Sequence, residues 1–335
     1  MSKRADQNLQ PDQFAELNER FYAGQEPGAY FRARLALIAN TAAHGWPPGD
    51  VAVERFRLAA HAAVDRSEHD RLIAIESFML YHHAAETTWL LFLAHEKPQG
   101  CPRLAVTRLR ISNLSKEMEA YRNEKDLDTR LARIRTALGF DDGGELAPGA
   151  SEEVLRAGLE GADLLLRELG SQVLVNSPVY NSAKHGMALD GGTARIGLST
   201  GSSPDPEKLN VYRDALWLEN LQYRDDEEQK KQTWTRTHTA VEPDRLMALT
   251  GLAVDLIDTI WSAGKVRFGK LEQGDEQPDV VKINLPSVER VQQTAYERGH
   301  RIERLSVDLL YTDARERRIL VGGSVFPAED AASGK

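Results

Sequence analysis

Apolar side chains along this chain recur mostly at three- and four-residue steps, the spacing that lines one face of an α-helix. Leu155, Leu159, Ala162, Leu166 and Leu169, following the cap-like Ser151-Glu152-Glu153, predict a helix in the stretch that ends at Gly186. A longer run from about Glu68 to Lys97 carries Leu72, Ile73, Ile75, Phe78, Met79, Ala85, Trp89, Leu90, Phe92 and Leu93. It is apolar on most sides and predicts a central helix. Pro98, Gly100 and Pro102 end that run, and a charged segment from Leu104 to Phe140 predicts further helix before Asp141-Asp142-Gly143-Gly144. Leu246, Leu249, Ala253, Leu256 and Ile260 predict a helix from Asp244 to about Ser262, with Pro243 suited to its first turn. Near the start, Glu26-Pro27-Gly28 and Gly45-Trp46-Pro47-Pro48-Gly49-Asp50 punctuate short helices. Asp50 reads as the N-cap of another, running from Val51 through His61 toward Asp65.

The texture changes past Gly186. Gly191-Gly192 and Ser199-Thr200-Gly201-Ser202-Ser203-Pro204 read as loops. Asp214 to Arg224 and Gln232 to Val241, rich in Trp, Tyr, Thr and Leu, predict a β-hairpin across the turn Asp225-Asp226-Glu227-Glu228. Lys270 to Pro278 is the best linker candidate. Beyond it the pattern predicts a strand over Val280 to Leu285 and a helix capped by Ser287 that runs to about Arg298. A closing hairpin of Arg301 to Tyr311 with Arg318 to Phe326 completes this segment. The expected division is a helical extension over residues 1–66, a mainly α bundle over 67–269 with a β-hairpin inserted near 193–241, and a small α+β unit over 279–327.

Charge and cysteine content narrow the function classes. The 335-residue chain carries 51 acidic against 42 basic side chains, a formal net charge of -9, which argues against coating nucleic acid through bulk charge. Its single cysteine, Cys101, excludes an internal disulfide and any thiol-pair metal or redox motif. The polar start has no apolar core of the secretory kind, and the most apolar stretch, Trp89 to Ala94, is too short to cross a bilayer. A cytoplasmic protein without a membrane partner is expected.

Candidate chemistry gathers at Tyr180-Asn181-Ser182-Ala183-Lys184-His185-Gly186. In a helix Asn181 and His185 share a face, as do Tyr180 and Lys184, and Gly186 suits the left-handed residue that stops it. The negative end of the helix dipole favours a cation there, so His185 could be held partly protonated and serve as a general acid. A capping role for the same residues is the bland alternative.

These residues, with the central helix bearing Tyr81-His82-His83-Ala84-Ala85-Glu86, resemble the HEPN superfamily. Its members are helical bundles, many of them metal-independent RNases of toxin–antitoxin, anti-phage defence and related systems, with two motifs meeting across a homodimer. The family motif is an Arg, a polar residue and a His a few positions later. Asn181 matches the polar position and His185 the histidine, while Tyr180 stands where the Arg does. The resemblance implies RNA cleavage in which a ribose 2′-hydroxyl attacks the adjacent phosphate. His185 would move a proton, Asn181 would orient it, Lys184 would neutralise charge, and neither metal nor cofactor would be needed. RNA, a second copy of the chain and a protein partner such as an antitoxin are the implied partners. The alternative is a non-catalytic interaction or sensor module on the same bundle.

Other constellations are weaker. His82 and Glu86 lie four apart and could form a buried pair or support His185 from behind; a metal site would need His95 or Cys101 to fold back. Gly197-Leu198-Ser199-Thr200-Gly201 matches a nucleophile elbow, but the residues after it read as loop rather than helix. No phosphate-binding loop or dinucleotide fingerprint is present. Arg103, Arg108, Arg110, Arg130, Arg133 and Arg135, or Arg315, Arg317 and Arg318, could line an RNA path, with solvated helix faces the plainer reading.

Overall fold

The three- and four-residue spacing becomes helix through most of the described residues, which are mainly α. A computed structural model describes residues 9, 11–45, 51–53, 56–58, 65–96, 101–109, 111–140, 151–184, 189–199, 208–226, 231–268, 283–296, 304–312 and 316–320. In order these form α1 (Pro11–Tyr22), α2 (Pro27–His44), β1 (Val51–Val53), β2 (Phe56–Leu58) and α3 (Arg66–His95). Then come α4 (Pro102–Arg108), α5 (Ile111–Asn123), α6 (Leu127–Ala137) and α7 (Glu152–Lys184). The remainder is β3 (Leu189–Ser199), β4 (Lys208–Asp226), β5 (Lys231–Val241), α8 (Pro243–Phe268), α9 (Val288–Tyr296), β6 (Arg304–Thr312) and β7 (Glu316–Leu320). Caps account for several helix starts. The Ser151 Oγ accepts the Val154 N–H at 3.2 Å, the Asp126 carboxylate accepts that of Thr129 at 3.3 Å, and the Ser287 Oγ accepts that of Arg290 at 3.2 Å.

Two units emerge, each assembled from three separated stretches of chain. The first takes Met1–Leu35, Leu80–Val175 and Ala248–Glu297; the second takes Ala36–Met79, Asn176–Met247 and Arg298–Lys335. Among its described residues the only regular elements of the first are helices. Its core holds the fully buried Trp89, Phe92, Met118, Tyr121, Ile134, Leu159, Leu165, Leu166 and Leu169. Each such side chain contributes about 1.5–3 kcal/mol by leaving water. Trp89, Phe92 and Tyr121 meet edge to face with centroids 5.2–5.6 Å apart, and Gly170 leaves room for the Trp89 indole, whose Nε1 donates to the Leu166 carbonyl at 3.2 Å.

In the second unit a five-stranded antiparallel sheet has the order β3-β4-β5-β6-β7. Register puts Tyr223 opposite Trp234 and Thr237 opposite Ser306. One cluster of buried residues joins Ala74 and Phe78 of α3, Val179 and Tyr180 of α7, Leu218 of β4 and Val241 of β5, with Ile75, Met79, Ala183 and Leu246 packed against it.

Four local outcomes differ from the sequence pattern; in the first, Gly191-Gly192, read as a loop, lies within β3, paired with Leu218 and Trp217. Val51–Val53 and Phe56–Leu58 pair as a short antiparallel ribbon, not a helix; the β-branched valines and Phe56 suit strands. Asp50 and His61 lie outside the described residues. Of the expected strand Val280 to Leu285, residues 283–285 are not strand, because this stretch lies along helices, and residues 280–282 lie outside the described residues. The Thr259 Oγ1 accepts the Asn284 N–H at 3.3 Å and sits 3.2 Å from the Asn284 carbonyl oxygen, while Leu285 meets the bare Cα of Gly158. Finally, β6 and β7 extend the sheet of β3–β5, and α9 belongs with the first unit. Among the described residues, α8 alone has the length and hydropathy to cross a membrane, and 61% of its most apolar window is buried.

Candidate functional site

The last turns of α7 carry the residues on which the functional reading rests. Pro178 lies inside this helix, which continues past it to Lys184, and the Ser182 Oγ donates to the Pro178 carbonyl at 3.0 Å. Tyr180 is 4% exposed and forms part of the buried cluster of the second unit. Asn181 and Lys184, three apart on the helix, are both exposed. The Lys184 Nζ stands 4.0 Å from the centroid of the Tyr180 ring. A cation over an aromatic face at the surface contributes about 0.5–1 kcal/mol, enough to bias a long side chain toward one position. Lys184 is also the basic residue of the final turn, where the helix dipole favours it. The turn therefore presents an amide and an ordered cation to solvent above a buried phenol ring. His185 and Gly186 lie outside the described residues.

His82 and Glu86 belong to the first unit. His82 is fully buried with its ring edge-on to Tyr81 at 5.5 Å, and Glu86 is half-buried one turn on. His95 and Cys101, the distant residues a metal reading would recruit, are occupied with neighbours inside the same unit. The Tyr22 hydroxyl donates to His95 Nε2 at 2.5 Å, His95 Nδ1 donates to the Leu91 carbonyl at 2.6 Å, and the Cys101 Sγ donates to Asn18 Oδ1 at 3.1 Å. Burial pulls the His95 pKa down to about 4 and pushes that of the Tyr22 phenol well above its ordinary value, so both are neutral at physiological pH. Among the described residues no group of three or more His, Cys, Asp or Glu side chains is placed to hold a metal.

Three arginines of the middle helices, Arg130, Arg133 and Arg135, are matched by carboxylates, while Arg103 and Arg108 of α4 are exposed. Arg130 is buried and forks onto Asp163 through Nε at 2.8 Å and Nη2 at 3.1 Å, and the same carboxylate accepts the Tyr121 hydroxyl at 2.8 Å. Arg133 pairs with Glu96 at 2.7 Å and stacks over Phe92 and Tyr121; Arg135 pairs with Glu152 at 2.9 Å. Nothing in the spacing of Arg130 announced this role, since its partner lies 33 residues away. Arg317 and Arg318 sit in β7 opposite Tyr311 and Leu310; Arg110 and Arg315 lie outside the described residues. Ser199 ends β3 opposite Lys208, so the chain returns as an antiparallel strand where a nucleophile elbow would lead into a helix. No family model, curated protein or solved structure matches this chain.

Proposed function

We propose that this is a HEPN-like helical-bundle protein of a bacterial defence or toxin-type system, which cuts RNA at the C-terminal end of α7 and acts as a homodimer. One observation carries the reading: Asn181 and Lys184 are exposed together on the last described turn of α7, with the Lys184 ammonium held over the buried Tyr180 ring. Tyr180 occupies the family's Arg position as a floor under a cation, and Lys184 supplies the positive charge that the Arg supplies elsewhere. His185 follows Lys184 directly in the chain.

In the proposed step the ribose 2′-oxygen bonds to phosphorus and the bond from phosphorus to the 5′-oxygen breaks. The products are a 2′,3′-cyclic phosphate and a free 5′-hydroxyl, with no water consumed. His185 gives a proton to the departing oxygen, solvent takes the proton of the 2′-hydroxyl, Lys184 offsets charge on the phosphate, and Asn181 fixes the geometry.

The test is incubation of purified protein with single-stranded RNA in EDTA. The wild type should leave cyclic-phosphate ends, His185→Ala should abolish cutting, and Lys184→Ala should slow it by about 10²-fold, the scale of losing one stabilising donor. RNA left intact by the wild type, or cut equally by His185→Ala, overturns the enzyme. The rival would then stand: a non-catalytic interaction or sensor module, which the burial of a neutral phenol at the Arg position favours.

A further inference from the structure

A second candidate site, independent of the one on α7, lies wholly within the first unit. Where α2 begins, an open cavity of about 260 Å³ is lined by Gln25, Glu26, Tyr30, Phe31, His83 and Thr87. That is below the size of drug-like pockets, about 300–1,000 Å³, and suits a compact group. The three aromatic side chains are mutually inclined. Tyr30 and His83 stand 5.7 Å apart at 66°, Phe31 and His83 5.0 Å apart at 73°, and Tyr30 and Phe31 5.2 Å apart at 75°. Such an arrangement turns ring faces in several directions and offers no pair of parallel walls between which a flat heterocycle could be sandwiched.

Charge sharpens the choice. Glu26 is exposed, and among the described residues no lysine or arginine lines the cavity. The negative faces of aromatic rings attract a cation, and a carboxylate at the mouth adds to the attraction. The Tyr30 ring already shows this preference: the Arg34 guanidinium lies 6.0 Å from its centroid, and Arg34 Nη1 donates to the Tyr30 hydroxyl at 3.0 Å. From this combination of inclined rings, one carboxylate and small volume, we propose that the cavity binds a methylated ammonium group, the rings enclosing the methyls and Glu26 balancing the charge. The same chemistry is offered by a free quaternary amine and by a trimethyllysine side chain of a peptide. Neither the α7 site nor RNA enters the proposal.

Titration of the full-length protein with choline and with its neutral isostere 3,3-dimethyl-1-butanol, followed by ligand-observed NMR, decides it. Choline should bind at least fivefold more tightly than the isostere, the scale expected of a cation–π contribution. Tyr30→Leu and Glu26→Gln should each weaken choline at least threefold, and their circular dichroism should match the wild type. A peptide carrying trimethyllysine, compared with its unmethylated form, separates the two sources: a preference for the methylated peptide above choline assigns the site to a protein partner, and equal or weaker binding assigns it to a free amine. Equal binding of choline and its isostere, binding unchanged in both variants, or no binding of choline or methylated peptide would overturn the proposal.

Discussion

Polar side chains are used in opposite ways in the interior of the first unit and at the last turn of α7. In the interior one such group is buried and matched: Arg130, Tyr121 and Asp163 satisfy one another, and the Arg130 Nη1 also donates to the Glu124 carbonyl at 2.5 Å. At the α7 terminus the ring of Tyr180 is buried and the amide of Asn181 and ammonium of Lys184 face water. A polar group whose hydrogen bonds are all spent inside a fold holds that fold and has little left for a ligand. One kept at the surface in a set position costs little and remains available. The largest effect that would break this contrast belongs to the interior. Asp163→Ala strands the buried Arg130 charge and should cost about 3–5 kcal/mol, read by urea unfolding. A loss under about 1 kcal/mol would show that water reaches the network and that it is not interior in the energetic sense.

His95 sharpens the same contrast through pH. In the unfolded chain it titrates near 6.5, and in the fold at about 4, because burial disfavours the charged imidazolium and the Arg267 cation adds to that effect. The unfolded state therefore takes up the extra proton first. Stability contributed by this group is complete above about pH 6.5 and declines as pH falls toward 4, by roughly 3 kcal/mol in all. The acid limb of stability against pH should flatten across that window in His95→Leu, after allowance for the lower baseline. An unchanged limb would assign the acid sensitivity to other groups.

Packing limits in the first unit supply a smaller and more local test. A Cβ at Gly161 would run into the Pro286 carbonyl, whereas one at Gly251 meets nothing within 4 Å. Gly161→Ala should cost about 1–2 kcal/mol net, overpacking exceeding the gain in helix propensity, and Gly251→Ala should stabilise by about 0.5–1 kcal/mol. If both variants stabilise, residues 283–287 do not press on α7 as described.

The helices were legible because their apolar spacing, caps and Pro or Gly stops all act locally. Leu155 to Leu169 line one face whatever lies opposite. What escaped is set by partners distant in sequence. Ile283-Asn284-Leu285 has strand-like residues, yet a strand needs a neighbouring strand, and here the neighbours are Thr259 and Gly158. Arg130 looked like one cation among several on a solvated face, since nothing nearby pointed to Asp163. The pairing of Asn181 with His185 and of Tyr180 with Lys184 on helix faces was readable from spacing alone. The burial of Tyr180 beside them was not, because it depends on Leu218 and Val241 arriving from two strands. For the same reason Tyr30 and His83, 53 positions apart, gave no sign of a shared cavity.

The smallest expected change in stability is also the one on which the functional side of the contrast turns. Asn181 is exposed, so Asn181→Ala should leave unfolding within about 0.5 kcal/mol of the wild type. If the amide orients the reacting phosphate or His185, the same substitution should slow RNA cleavage by about 10²-fold. Interior residues should show the reverse, large losses of stability with cleavage preserved at temperatures where the variant remains folded. A variant that loses both together, in proportion, would place Asn181 with the structural residues after all. One that loses neither would remove it from the proposed chemistry and leave Lys184 and His185 to carry the reaction.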